Sequence, residues 1–454
     1  MTSTQPRIYS LVDLFAGCGG LSLGFEQQAF TPVFVSELDK DALSTYLNNR
    51  HHTLGGLSFS QNPALQCQDA HELTGKRIDQ LKSDLKALPE LSFALERNTN
   101  FKHGGGSNLD VLAGGPPCQG YSGIGIRRSY AVDRKDIPSN HLYDRMAEII
   151  RNLRPRIFLF ENVRGLLNAK WDRGGTEKIF PDVKRAFDSI PGYDVRWSLV
   201  FAKDYGVPQN RPRVLLVGIR QDISRCSKII NLDADPENAV ACNFLPSPSG
   251  ESPPHLFDLL SDLIDPNAQS CLLTGEYPEG PFQTTAYPST PKNKIQKSLR
   301  AKPLQNSRSR IELTEQEYSK HKPDVVRKFL YMLDNEGRIP HELKTKKFSQ
   351  RVLRKYWDAT GPNITATSLP DDYVHFCQPR ILTVREWARL QLFPDWYVFS
   401  GKRTTGGLRR AGNPVAGIFD REVPKYTQIG NAVPVGLAKR IAAHFRLILD
   451  DAIV

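Results

Sequence analysis

Strand-like and helix-like segments alternate through the first half of the chain, and this alternation constrains the fold more than any other feature. An apolar run over residues 8–15 precedes a glycine-rich turn, and a second run, Val33 to Val35, precedes a helical pattern over residues 39–48. Apolar residues recur at helical spacing from Leu142 to Leu153, before the strand-like run Ile157 to Phe160. This order predicts an α/β fold whose mostly parallel sheet is covered by helices on both faces.

The pattern disappears after residue 220 and returns near the end of the chain. Residues 240–378 are rich in Pro, Ser, Lys and Arg and show no sustained alternation, which indicates a separate, less regular module. Thr383 and Glu386 have the spacing of a capping box, so a helix is predicted to start there and to end at Pro394. A last amphipathic helix is predicted over residues 434–449.

The positive charge of the chain is concentrated in one region. Residues 291–360 contain 18 basic and 8 acidic side chains, whereas the other 384 residues contain 42 and 41. Such a concentration is typical of a surface that binds a polyanion, most simply a nucleic acid. On charge alone, a solvated helical face fits equally well.

Several classes of protein are excluded by composition. The apolar runs are far shorter than the ~20 residues of a membrane helix, and the first ten residues have no export signal, so we expect a cytoplasmic protein. The seven cysteines are scattered, with no CxxC pair, which argues against a disulfide framework and a structural zinc site. No metal is expected.

Two features point to a nucleotide-like ligand. The glycine-rich turn, Asp13 to Gly20, lies where a first strand meets a first helix, and Glu37 follows the second strand. An acid in that position can accept hydrogen bonds from both hydroxyls of a ribose. The turn alone is weak support, because tight turns need glycine for backbone reasons.

The sharpest motif surrounds a cysteine. Two prolines and flanking glycines hold Cys118 on a stiff loop, Gly114 to Ser122, whereas a packing cysteine normally lies inside an apolar element. A thiolate nucleophile is therefore the preferred interpretation. Glu161 follows an apolar strand, where it could serve a ligand or cap a helix. Arg211 and Arg213 alternate and should share a side that suits one anionic group, although a solvated edge would look the same.

Together these motifs, in this order, resemble the DNA cytosine-5 methyltransferases. The matching segments are Asp13-Leu-Phe-Ala-Gly-x-Gly-Gly20, Pro116-Pro-Cys-Gln119, Glu161-Asn-Val163, Gln209-x-Arg-x-Arg213, the series from Arg380 to Pro394, and Gly430-Asn-Ala-Val-Pro434. The resemblance implies a Rossmann-like, S-adenosylmethionine-dependent methyltransferase domain and a smaller, irregular target recognition domain. It assigns residues 1–238 to the first part of the catalytic domain, 239–378 to target recognition and 379–454 to the completion of the catalytic domain.

The resemblance also implies roles for individual residues. Cys118 is similar to the nucleophile that adds to C6 of a flipped-out cytosine, and Glu161 to the acid that binds N3 and the exocyclic amine. Arg211 and Arg213 match arginines near the target base. Double-stranded DNA is the expected partner.

For the cofactor, S-adenosylmethionine, Phe15 resembles the residue that stacks on the adenine. Glu37 matches the ribose acceptor, and Asp69 the acid that faces the adenine amino group. Leu38 stands where many relatives carry an aromatic residue. The remaining cofactor-binding candidates are Asp13, Ala16, Gly17, Gly19, Gly20, Ala70, Pro116, Asn431 and Ala432.

Two other functions would use a similar fold. A tRNA methyltransferase of the same fold typically carries a Cys-Phe-Thr element, which is missing here. A catalytically inactive DNA-binding homologue is disfavoured by Cys118, Glu161 and Arg211. Because the first motif begins near the N-terminus, the sequence suggests a stand-alone bacterial enzyme. A monomer is expected. Such an enzyme would act beside a separate cognate restriction endonuclease, although an orphan enzyme fits equally well.

Overall fold

A computed structural model describes residues 9–89, 109–117, 135, 137–172, 175–302, 312–344, 350–358, 361–365, 370–405 and 422–453. The strands are β1 (Tyr9–Leu14), β2 (Phe30–Ser36), β3 (Thr53–Leu54), β4 (Leu57–Ser58), β5 (Gln66–Cys67), β6 (Val111–Gly114), β7 (Ile157–Val163), β8 (Tyr193–Phe201), β9 (Pro212–Arg220), β10 (Arg351–Val352) and β11 (Tyr373–Val374). The helices are α1 (Gly20–Glu26), α2 (Lys40–Asn48), α3 (Gly75–Ala87), α4 (Leu142–Leu153), α5 (Ile179–Asp188), α6 (Gln221–Ser224), α7 (Leu256–Leu260), α8 (Pro266–Thr274), α9 (Lys294–Leu299), α10 (Pro323–Asp334), α11 (Val384–Leu390), α12 (Lys425–Asn431) and α13 (Val435–Ile453).

The central sheet has the order β5-β2-β1-β6-β7-β9-β8 within the described part of the chain. Strands β5, β2, β1, β6 and β7 run parallel, whereas β9 pairs antiparallel with both β7 and β8. The prediction of a mostly parallel sheet is confirmed. Strand order reverses beside β1, which has β2 on one side and β6 on the other, so ligands of such a sheet bind at the carboxyl ends of these strands.

Helices cover both faces, as predicted for strands that are buried on two sides. Leu112 and Phe158 belong to an apolar cluster that includes side chains of α3, α4 and α5. Val111 and Leu159 belong to a second cluster, which includes side chains of α1 and α13. Helices α1 and α13 lie so close that a Cβ at Gly24 would be 2.5 Å from the Ala438 Cβ.

Two predicted boundaries differ from the structure. Strand β7 continues through Glu161 to Val163, where Glu161 pairs with Leu215 of β9. The helix-cap alternative for Glu161 is therefore wrong. The capping box at Thr383 is confirmed by reciprocal hydrogen bonds with Glu386, but α11 ends at Leu390, before Pro394.

The region after β9 forms further cores. Residues 239–245 still belong to the second cluster, the one that contains Val111 and Leu159, through Ala239, Cys242 and Phe244. Another cluster joins α7, α9 and β11 to α11 and α12. No helix within the described ranges is long and apolar enough to cross a membrane.

Candidate active site at the carboxyl edge of the sheet

The turn after β1 has an unusual backbone. Phe15 adopts a left-handed conformation with φ of +55°, and Gly19 has φ of +83°. A Cβ at Gly20 would lie 2.5 Å from the carbonyl oxygen of Val433, so this glycine lets α1 begin directly against the last motif. The amide of Ala16 donates to the Ser36 carbonyl (3.0 Å), which ties the turn to β2. The glycines here therefore serve close packing as well as backbone conformation.

Glu37, directly after β2, holds the turn from the neighbouring strand. One carboxylate oxygen accepts the Gly17 amide and the other the Asp39 amide, both at 2.8 Å. Burial raises the pKa of Glu37, although these hydrogen bonds favour its charged form. Beside it, Leu38 is 67% exposed, a large apolar side chain with one face open.

Two further acids predicted for the cofactor have different surroundings. Asp13 lies inside β1 and is 1% exposed, and neither carboxylate oxygen is hydrogen-bonded within the described part of the chain. Burial raises the pKa of Asp13 to about 7. Asp69 follows β5 and accepts the His71 amide at 2.9 Å, with Ala70 buried beside it. Asp69 therefore lies at the carboxyl edge of the sheet, whereas Asp13 lies within the sheet, below that edge.

Glu161 and Arg213 form a buried ion pair across the antiparallel strands β7 and β9. A Cβ at Gly115 would lie 2.7 Å from a carboxylate oxygen of Glu161, so the glycine leaves room for this acid. Asn162 donates to the Pro116 carbonyl at 3.2 Å and fixes the start of the proline loop. Cys118 lies outside the described residues, two positions beyond this anchor.

Arg211 does not share the partner of Arg213. It is 1% exposed and donates to the carbonyls of Gly430 (2.7 Å) and Ala432 (2.9 Å). It therefore connects the start of β9 to the last motif, where Ala432 is buried and Asn431 is exposed. Arg211 and Arg213 therefore do not share one anionic partner, as their alternate positions had suggested, because each guanidinium has its own partner.

Gln209 is a site residue whose role sequence reasoning missed. Its buried amide donates to the Leu390 carbonyl (2.7 Å) and accepts the Ile364 amide (3.2 Å). It thereby joins the irregular region and the end of α11 to the edge of the sheet. Its position in the Gln209-x-Arg211 motif was the available signal.

Two other cysteines near the site have unreactive surroundings. The Cys18 thiol is fully buried and donates to the Gln428 carbonyl at 3.3 Å, and burial raises its pKa to about 12. Burial likewise raises the pKa of Cys67 to about 11. Both thiols are protonated near neutral pH, as expected of packing residues.

The basic segment contains buried and exposed charges. Arg300 donates to the buried carboxylate of Asp262 and stacks on Tyr287, with 3.6 Å between the guanidinium carbon and the ring centroid. In contrast, Lys292, Lys294 and Lys297 are exposed around α9. These lysines, rather than Arg300, are available to a polyanion.

The residues at the carboxyl edge fit S-adenosylmethionine. Among the residues that the structure describes, none lies within 4 Å of the position of a Cβ at Gly17, so this side of the turn is not covered by them. The carboxylates of Glu37 and Asp69 follow neighbouring strands, and Leu38 offers an exposed apolar surface. Carboxylates suit ribose hydroxyls and an amino group, and an apolar side chain suits a nucleobase.

The fold and this edge define an α/β methyltransferase. The C-5 cytosine-specific DNA methylase family model matches residues 9–446, and the chain belongs to this family. It is 28% identical over 447 residues to the type II methyltransferase M.DdeI of Desulfomicrobium norvegicum, covering 95% of this chain and 87% of that protein. It is 26% identical to M.NgoPII of Neisseria gonorrhoeae, covering 99% and 100%.

A solved structure has the same fold. It is described as a DNA modification methyltransferase encoded within a prophage, from E. coli, and superposes with a TM-score of 0.60 at 21% identity. The alignment covers 97% of this chain and 99% of that one. The family and its named relatives identify this chain as an enzyme that methylates C5 of cytosine in DNA.

Proposed function

We propose that this enzyme methylates a cytosine flipped out of a specific duplex sequence, through a covalent adduct between Cys118 and C6. The observation that carries the proposal is the buried pair of Glu161 and Arg213 beside the start of the proline loop. It brings a fixed carboxylate next to the segment that leads into Cys118, at the same sheet edge as the turn.

The residues divide the chemistry between them. The Cys118 thiolate adds to C6, because C5 of cytosine is otherwise a poor nucleophile. Glu161 binds N3 and the exocyclic amine and stabilises the charge that develops on the ring. Arg213 keeps this carboxylate oriented. Once C5 carries the methyl group, its proton passes to solvent and the electrons of the C5–H bond restore the C5–C6 double bond. The bond between Cys118 and C6 breaks in the same elimination, which regenerates the thiolate and releases the product.

S-adenosylmethionine would supply the methyl group. In our proposal Phe15 and Leu38 contact its adenine, Glu37 binds the ribose hydroxyls and Asp69 receives the adenine amino group. Ala16, Gly17, Gly19 and Gly20 shape the turn, while Ala70, Pro116, Asn431 and Ala432 border it. Asp13 would support the turn from below, since it is almost fully buried.

Residues 239–378 are proposed as the target recognition domain. The exposed lysines around α9 would contact phosphates, and other side chains of the domain would read base edges. Flipping the base costs a few kcal/mol, which these contacts must offset. The similarity to type II methyltransferases supports protection of host DNA from a separate endonuclease. We propose that the enzyme acts as a monomer in the cytoplasm.

The test is methyl transfer from labelled S-adenosylmethionine to duplex DNA. The wild type should label DNA, and Cys118→Ala should not, whereas the control Cys226→Ala, at an exposed free cysteine, should be active. Glu161→Gln should lose activity, unlike Glu148→Gln on α4. Wild-type activity in Cys118→Ala would refute the mechanism, and labelling of tRNA but not DNA would refute the substrate.

A further inference from the structure

We propose that Arg50 and Tyr397 are positioning residues that hold the turn between β1 and α1 in the conformation that binds S-adenosylmethionine. The inference rests on the proposed cofactor role of that turn. Both side chains are almost fully buried, and both donate hydrogen bonds to the backbone of the turn. Neither belongs to the motifs that indicated the function.

Arg50, two residues after α2, uses both terminal nitrogens. One donates to Ser22 Oγ (2.9 Å), to a carboxylate oxygen of Glu26 (2.5 Å) and, at 3.4 Å, to the Gly19 carbonyl. The other donates to the Tyr46 carbonyl (2.7 Å) and to Tyr397 Oη (3.3 Å). The guanidinium therefore joins α2, the turn and the first helix at one point.

Tyr397 approaches the turn from a distant part of the sequence. Its hydroxyl donates to the Cys18 carbonyl at 2.5 Å, so neighbouring carbonyls of the turn, at Cys18 and Gly19, receive donors from Tyr397 and Arg50. A Cβ at Gly19 would lie 2.8 Å from the Tyr397 hydroxyl. The absence of a side chain at position 19 therefore leaves room for the Tyr397 hydroxyl.

The turn needs such support because its backbone conformation depends on the residues around it. Phe15 occupies a left-handed conformation, which a residue with a large side chain keeps only when its surroundings enforce it. Without Tyr397 and Arg50, the Cys18 carbonyl loses the Tyr397 donor and the Gly19 carbonyl keeps the Leu23 amide at 2.9 Å, so more conformations become accessible to the backbone ahead of α1. Binding must then order the turn at the expense of affinity. The Arg50 and Tyr397 contacts remove that ordering cost before the cofactor arrives.

A matched control separates this role from ordinary stabilisation. Tyr193 is also buried, and its hydroxyl donates to the Pro155 carbonyl at 2.5 Å, but it lies at the amino end of β7, opposite to the turn. Tyr397→Phe and Tyr193→Phe each delete one buried hydroxyl bond to a backbone carbonyl. Arg50→Lys keeps the charge and loses the branched set of donors.

The experiment measures S-adenosylmethionine binding by calorimetry without DNA, with the thermal midpoint of each variant as a check on folding. Tyr397→Phe and Arg50→Lys should each raise the Kd about tenfold, while Tyr193→Phe should keep the wild-type Kd despite a similar loss in thermal midpoint. The KM for DNA should stay unchanged in all three.

Wild-type Kd values in both Tyr397→Phe and Arg50→Lys would overturn the inference, and so would an equal rise in Tyr193→Phe. If one of these two variants fails to fold, the Kd of the other tests the inference. Failure of the wild type itself to bind S-adenosylmethionine would instead refute the proposed cofactor, on which the inference depends.

Discussion

Buried acids around the turn between β1 and α1 and around α11 have opposite electrostatic surroundings. At the turn, burial raises the pKa of Asp13 and Glu37. Around α11, Glu386 is bound by both terminal nitrogens of Arg380 at 2.7 Å, which lowers its pKa to about 2 despite complete burial. Asp395, paired with Arg389, also has a lowered pKa.

The difference follows from how each region is built. The sheet satisfies its own backbone and packs on apolar residues, and Glu37 beside it is bound by backbone amides rather than by a guanidinium. Around α11 the elements are short, and charged side chains join distant segments: Arg389 binds Asp262 (2.5 Å) and Asp395 (2.6 Å). Buried ion pairs of this kind fix geometry more than they add stability, but removing one partner is costly.

Of the changes proposed here, loss of Arg389 should lower the free energy of unfolding the most. Arg389→Met removes the cation that joins Asp262 to Asp395 and leaves Asp262 with Arg300 alone, so we expect the free energy of unfolding to fall by about 3–5 kcal/mol in urea titrations. Arg327→Met, at an exposed pair with Asp324, is the control and should not change it. Equal stability of both variants would contradict the view that buried ion pairs hold the region around α11 together.

Asp13→Asn should change the pH dependence of stability. The folded pKa of about 7 lies above the ordinary 3.8, so the contribution of Asp13 is fully present below pH 3.8 and is lost as pH rises through 7. Relative to wild type, the variant should therefore gain up to about 4 kcal/mol between pH 4 and 8, measured without cofactor. A difference that does not vary with pH would show that Asp13 is not held neutral.

Glu386→Gln should act in the opposite pH window. Its folded pKa is lowered from 4.5 to about 2, so its stabilisation is present above pH 4.5 and is lost as pH falls through 2. The variant should be less stable than wild type by about 3 kcal/mol at pH 7, and the gap should close in acid. If the difference in the free energy of unfolding persists at pH 2, the destabilisation comes from packing and not from the charge of Glu386.

The exposed charges should matter least for stability. Replacing Lys292, Lys294 and Lys297 by Gln should change the free energy of unfolding by no more than about 0.5 kcal/mol. DNA affinity should nevertheless fall, and the slope of log K against log salt should flatten by up to about 3. An unchanged slope would place the phosphate contacts elsewhere.

The sequence predicted correctly those features that depend on residues close together in the chain. The capping box at Thr383 and the alternation of β1, α1 and β2 are local patterns, and both are confirmed. The extent of β7 was missed, because the charge of Glu161 is matched by Arg213, 52 positions away. The partners of Arg389 could not be inferred either, since Asp262 lies 127 residues earlier. The geometry at Cys118 stays a prediction.

The packing of α1 against α13 has a consequence for synthesis on the ribosome. The first helix emerges early, but the residues that cover it, such as Ala438 and Val433, are translated only after the whole irregular region. At elongation rates of about 5–20 residues per second this delay is on the order of tens of seconds. The apolar side of α1 must stay soluble throughout, so a nascent chain that stalls before α13 should bind chaperones through this helix.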